Sequence, residues 1–306
     1  MPLAPPTTTL SGAFALRAPA RGLDVAIHRV GDRVVTLAAC ALVPQRGPRG
    51  RVTQSPTVAE LDDDARQERE VRLTAERILA THLKPGIDPK RPAKTFWKDI
   101  NLDLTSAALI ELDLTDCQIN AAGFANTTFA GDARFDGAAF AGAAWFHKAT
   151  FAGDARFDGA AFADDARFNG TAFTGEAVFN EVTFADNVRF DGAAFAGAAW
   201  FYEADFAGDV RFDKAAFAGA AWFHKAAFAG NALFNVATFD TAACAREARV
   251  RVDPAKPAFE RSSWPLGWTV GMPDVVPNAG EPMWVRLLPV PVVLSETAVG
   301  GRTPQE

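Results

Sequence analysis

Residues 129–150 read FAGDARFDGAAFAGAAWFHKAT, and the fold turns on how Phe is spaced within them. Phe stands at 129, 135, 140 and 146, in steps of six, five and six, and the next step of five reaches Phe151. The same alternation continues through Phe157, Phe162, Phe168 and Phe173 to Phe234 and Phe239. Upstream the step is a strict five: Leu104, Leu109, Leu114, Ile119, Phe124, Phe129. Of the 25 Phe in the chain, 22 lie between 124 and 239, against a single Tyr, Tyr202. A freely assembled core would mix Leu, Ile, Val and Phe, so position dictates residue type here.

A second column keeps the same register. Two residues before each of the twenty Phe from 135 to 239 stand sixteen Ala, three Val (Val182, Val188, Val210) and Thr171. In an extended chain, residues two apart point the same way. One side therefore buries a Phe and an Ala, and the residue between them points outward. Neither a 3.6-residue period nor simple alternation describes the pattern, which excludes helices and long strands. In the ten six-residue steps, the second residue after Phe is Gly eight times, beginning with Gly131, Gly142 and Gly153, and Asp at 164 and 186. Gly adopts positive φ freely and Asp tolerates it, so the sequence predicts a positive-φ turn there. Four faces and four turns then close a square coil of 22 residues, five such blocks running from 129 to 238. Stacked at ~4.8 Å, the 26 centre positions from Leu104 to Phe239 make about 6.5 coils and a rod of roughly 30 Å.

The stretch LDLTSAALIELDLTDC (102–117) and the later AxFxx faces resemble the pentapeptide-repeat family, whose motif is A(D/N)LXX with Leu or Phe at the centre. The resemblance implies a right-handed quadrilateral β-helix over about 104–239, in a Phe-centred branch; the extra residue in alternate faces departs from the strict motif. The segment EREVRLTAERILATHLKP (68–85) also resembles an arrangement common in actinobacterial members of the family.

The flanks divide the rest. Residues 1–55 are rich in Pro, Arg, Ala and Thr without a period and are expected to have little order. Residues 56–101 are expected to form a helical N-terminal cap. Thr57 with Glu60 makes a capping box, and Pro85-Gly86 stops the helix. Its apolar stripe is Val71, Ala75, Ile78, Leu79 and Leu83, with Phe96 and Trp97 beyond. The β-helix is expected over 102–239, and 240–306 as an irregular C-terminal cap and tail. In that cap Trp264, Trp268 and Trp284 fold over the last coil, and 283–293 adds one edge strand because of Pro289 and Pro291.

Composition narrows the function. No apolar run approaches the ~18 residues of a membrane span; the longest, 34–43, stops at Pro44. The N-terminus lacks the features of a signal peptide, and Cys40, Cys117 and Cys244 are odd in number and far apart. A cytoplasmic protein with reduced thiols is expected. The net charge of −6 argues against direct nucleic-acid binding. His147 and His224 share WFHKA contexts but lie 77 residues, or 3.5 coils, apart, so they cannot share a metal. The GD and DG pairs lack the nine-residue calcium-binding period, and neither a nucleophile elbow nor a phosphate-binding loop is present. No cofactor, metal or catalytic residue is expected, and the protein is read as non-enzymatic.

The outward residues carry the functional expectation. Read every 22 residues, the position before Phe runs Arg134, Arg156, Val178, Trp200, Trp222 on one face and Trp145, Arg167, Arg189, Arg211, Leu233 on the opposite one. Aromatics and Arg concentrate at interface hot spots, so Trp145, Arg167, Arg189, Trp200, Arg211 and Trp222 are the candidate partner-binding residues. The competing reading pairs the Arg with Asp165 and Asp209 as ordinary surface. The chain is thus expected to be a protein-interaction scaffold. The alternative comes from the resemblance, which implies mimicry of duplex DNA towards type II topoisomerases: residues 96–239 carry 19 acidic against 9 basic side chains.

Overall fold

Steps of five and six residues leave room for a two-residue strand and a corner, and nothing longer. A computed structural model describes residues 13–17, 23–30, 34–41, 58–86, 88, 91–241, 243–252, 262–265, 267–271 and 283–289. From 101 to 239 the chain is a parallel β solenoid of about seven turns. Each turn visits four sheets in order, entering for example at Ala122–Gly123, Thr128–Phe129, Ala133–Arg134 and Ala139–Phe140. We call these the first to fourth faces; the first and third are opposite, as are the second and fourth. Partners sit one coil apart, as in Ala144 with Ala166 and Trp145 with Arg167. In the strict-five region the coil is shorter, and Leu102 pairs with Ala122.

The core is the Phe array. Every Phe from 124 to 228 is essentially inaccessible to water. Within a face the rings stack in parallel, from 4.3 Å between Phe129 and Phe151 to 5.4 Å between Phe184 and Phe206. Between the first and third faces they meet edge to face, Phe146 lying 5.6 Å from Phe157 at 87°. Offset and edge-on contacts are the favoured geometries for aromatic pairs. Ala two residues earlier leaves the rings their room. Where Thr127 and Thr171 replace it, the buried hydroxyls donate to the Leu104 and Phe146 carbonyls at 2.6 and 2.7 Å.

The corners differ from expectation. Positive φ falls in the five-residue steps, at Asn126, Gly137, Lys148, Gly159, Gly170, Glu181, Gly192, Glu203, Lys214, Lys225 and Val236. The glycines of the six-residue steps lie outside that region and serve another purpose. A Cβ on Gly153 would sit 2.7 Å from the Gly131 carbonyl carbon, and one on Gly197 would overlap the Gly175 carbonyl. Backbone stacks directly on backbone there, so contact rather than torsion excludes side chains.

Both ends are closed. Helix α1 (Val58–Leu83) ends where Pro85-Gly86 follows, and it buries Leu73, Ala75, Leu79 and Leu83, with Val71 and Ile78 packed beside them. Thr57 of the expected capping box lies outside the described residues. The first strand of the second face, Ala108–Leu109, has no coil before it. Glu76, only 3% exposed, accepts hydrogen bonds there from the Ile110 and Glu111 amides at 2.7 and 2.9 Å, and Arg72 donates to the Ala108 carbonyl. The two side chains stand in for the missing coil's backbone; burial raises the Glu76 pKa. Within the stretch expected to have little order, strands β1 (Ala13–Arg17), β2 (Leu23–Val30) and β3 (Val34–Ala41) form an antiparallel meander. Strand β3 joins the first face in parallel with Asn101–Asp103, and α1 lies against β1 and β2.

At the other end, strand Arg249–Val252 continues the fourth face. Met283–Pro289 pairs antiparallel with it, and Trp268–Val270 covers the far side of that strand's last residues. The 283–293 segment thus supplies a strand as expected, but one flanked on both sides rather than an edge, with Pro289 at its end. Trp264 and Trp268 close the core, edge-on to Phe228 and Phe223 at 5.4 and 5.9 Å.

Two stability measurements follow. Phe179 is sandwiched between Phe157 and Phe201 at 4.8 and 5.1 Å, so Phe179→Ala is expected to cost ~3–5 kcal/mol in urea unfolding; a loss below about 1 kcal/mol would mean that the ring is not in the core. Gly197→Ala, which strikes backbone, should destabilise more than Gly192→Ala, which has open space and a positive φ that L-residues adopt at about 1–2 kcal/mol; the reverse order would refute the contact explanation.

Candidate interaction faces

A residue between an inward Ala and an inward Phe must point out, and in-register pairing makes a column of such residues. On the first face the column is Trp145, Arg167, Arg189, Arg211, Leu233. On the third it is Arg134, Arg156, Val178, Trp200, Trp222. The structure brings Trp145 together with Arg167, Arg189 and Arg211, and Trp200 with Trp222, but on opposite faces. The six candidates form two surfaces.

On the first face Trp145 is 46% exposed, and the Arg167 guanidinium lies 5.9 Å from its ring centre. Arg167 reaches Asp165 at 3.4 Å, as the competing reading expected. Asp209 instead accepts from the Asn231 backbone and side-chain N–H groups. Arg211 is clamped between Asp191 and Asp213 at 3.1 and 2.9 Å. Arg189 forms no ion pair among the described residues. These bonds arise because residues beside the Phe also stack: Asn169 donates to Asp191, and Asn235 to Asp213.

On the third face Trp200 and Trp222 stack at 5.4 Å and 9°. At the next corner Tyr202 and His224 stack at 5.4 Å, while Lys225 donates to Glu203 at 2.9 Å and to Tyr202 at 3.2 Å. The bond from Lys225 lowers the Glu203 pKa. The sequence reading missed this group, although WFYEA (200–204) and WFHKA (222–226) are one coil apart and set Glu203 against Lys225. Further along, Arg156 bridges Asp136 and Asp158 at 3.5 and 3.1 Å. Burial, then a hydrogen bond with Asp158, raises the Asp136 pKa.

His147 and His224 follow the tryptophans of opposite faces, as the half-integral coil count requires. Asp164, Asp165 and Asp186 gather carboxylate oxygens within 4.8 Å of one another. Each of Asp164 and Asp186 accepts from the following amide, at 2.7 and 2.8 Å, and Asn187 also reaches Asp165 and Asp186. Cys117 and Cys244 are free thiols; burial pushes the Cys117 thiol up to about 12. Among the described residues no helix is long and apolar enough to cross a membrane.

Four parallel sheets wound from five- and six-residue steps around a Phe core define a quadrilateral β-helix, a repeat solenoid whose surfaces are columns. The model for pentapeptide repeats (9 copies) matches residues 104–150, 135–183, 168–216 and 179–226, so the solenoid is built of pentapeptide repeats over that stretch. No curated protein and no solved structure matches the chain.

Arg156→Ala should leave Asp136 beside Asp158 without their shared cation. Because the folded pKa of Asp136 is already raised, its ionised form disfavours the native state, and protonation relieves this as pH falls through that folded pKa. The variant should lose up to about 1 kcal/mol at pH 7 and recover towards wild type in acid. A deficit that grows as pH falls would contradict the bridging role.

Proposed function

We propose that this protein is a non-catalytic interaction scaffold of the Phe-centred, actinobacterial type of pentapeptide-repeat protein, that it binds another protein, and that it works in the cytoplasm. The observation that carries the reading is the Trp200–Trp222 stack on the third face, with Trp222 36% exposed. Solvent-facing indoles in register provide a rigid apolar anchor at low entropic cost, which is the chemistry of interface hot spots. On the opposite face Trp145 and Arg189 offer a smaller anchor, whereas Arg167 and Arg211 are occupied by Asp and hold the surface together. The odd and widely spaced cysteines support a reducing compartment.

A second reading, a DNA-mimicking regulator of a type II topoisomerase, draws on the net charge of −10 over residues 96–239. A rigid acidic rod meets the physical requirement for mimicry. Against it, Arg156, Arg167 and Arg211 neutralise the carboxylates beside them.

Affinity capture with the full chain separates the two. A partner lost on Trp200→Ser with Trp222→Ser, and retained when the rod's exposed Asp become Asn, is the expected result. A partner retained by the Trp variant and lost with the Asp changes would replace the scaffold with the mimic.

A further inference from the structure

The C-terminal end of the rod continues three of its four faces and leaves one open. The first face goes on to Ser263 beside Leu233, the third to Cys244 beside Trp222, and the fourth to Val250 beside Phe228. The second face stops at Thr238–Phe239, with no strand beyond it among the described residues. The ring ladders end in the same way. Trp268 lies against Phe223, and Trp264 against Phe228 and Phe234. Phe239 stacks on Phe217 at 4.7 Å and 5° and has no ring on its outer side among the described residues. It is half-buried, unlike every Phe from 124 to 228. The backbone follows a fixed order on this face: Ala216 donates to the Ala193 carbonyl and Thr238 to that of Ala215, while Ala218 donates to Phe195 and Asp240 to Phe217. One coil on, the Ala237 and Phe239 carbonyls are the acceptors, and among the described residues they have no donor. Glu76 and Arg72 close the other end of this same sheet. Val236, 78% exposed at the corner leading into the strand, adds apolar surface.

We propose that the open end of the second face binds a partner protein by strand addition, taking an extended segment that carries an aromatic residue with a small residue two positions before it. Such a segment repeats what the solenoid does with its own coils. Two of its main-chain N–H groups reach the Ala237 and Phe239 carbonyls, and its aromatic ring continues the ladder ~4.8 Å beyond Phe239. The small residue sits over Ala237, an inward position where the solenoid itself uses Ala, Val or Thr. Main-chain bonds accept any sequence, so the ring and the small residue supply the specificity. An uncovered strand edge is a template for pairing with another chain. A second copy does not fit the edge, because the fourth face extends by Arg249–Val252, Met283–Pro289 and Trp268–Val270 past the last coil. Two such ends brought edge to edge would set these strands against each other, whereas a single extended segment passes beside them. The site is separate from the tryptophan columns and does not depend on them.

The probe is an acetylated and amidated peptide, GTAFTG, which copies residues 170–175 from the second face itself. One equivalent is expected to bind the full chain in calorimetric titration. In NMR spectra it should shift the amide of Phe239, which gains the peptide's alanine carbonyl as acceptor, and leave the Trp200 and Trp222 indoles unmoved. Replacing the peptide's Phe by Ser should weaken binding about tenfold or more. Methylating the amide nitrogens of its Ala and second Thr, the groups that face Ala237 and Phe239, should abolish it. These comparisons leave the protein unaltered, so no folding defect enters. No binding at millimolar peptide, equal binding by the Ser or methylated peptides, or shifts confined to the tryptophan column overturns the proposal. A protein that sediments as a dimer and takes up no peptide overturns it in favour of a second copy on this edge.

Discussion

The hydrogen bond between stacked coils governs this molecule. It fixes neighbouring backbones ~4.8 Å apart along the rod, a separation that also suits stacked aromatic rings, so Phe can repeat in all four faces without strain. The same spacing forces every other residue to meet its counterpart one coil away. Asn and Asp then exchange bonds up the corners, as from Asn231 to Asp209, and where Asp191 stacks on Asp213 the Arg211 guanidinium pairs with both. Surface and core obey one rule, and a residue's neighbours are set by arithmetic.

That arithmetic made the fold legible. The Phe and Ala columns, the coil length and the outward columns all follow from spacing, because local sequence and global structure share a period. Steric detail did not follow. Glycine in FAG is equally consistent with positive φ and with close approach, and only the stacked carbonyl of Gly175 against Gly197 distinguishes the two. The positive-φ corners carry Lys, Glu and even Val236, residues no turn preference would select. Arg–Asp pairing was legible in kind but not in partner, since each Arg chooses between coils: Arg211 takes Asp191 and Asp213.

The ends were least legible, since a period says nothing about where it stops. Helix α1 was visible from its apolar stripe, yet not its most specific act. Glu76 reaches two orphan amides and Arg72 an orphan carbonyl, a match between an aperiodic helix and the first coil. Leaving those buried groups unpaired would cost ~1–3 kcal/mol each.

The alternation of five and six makes eleven residues a half-turn. Gain or loss of one eleven-residue unit would leave every Phe in the core and every six-residue corner on another such corner, yet rotate all downstream coils halfway round the rod. Trp200 and Trp222 would then join the side that carries Trp145. The two WFHKA segments, 77 residues or seven such units apart, stand in that relation already. A lineage can therefore redistribute its contact residues between opposite sides by a single duplication slip, with no penalty in the core.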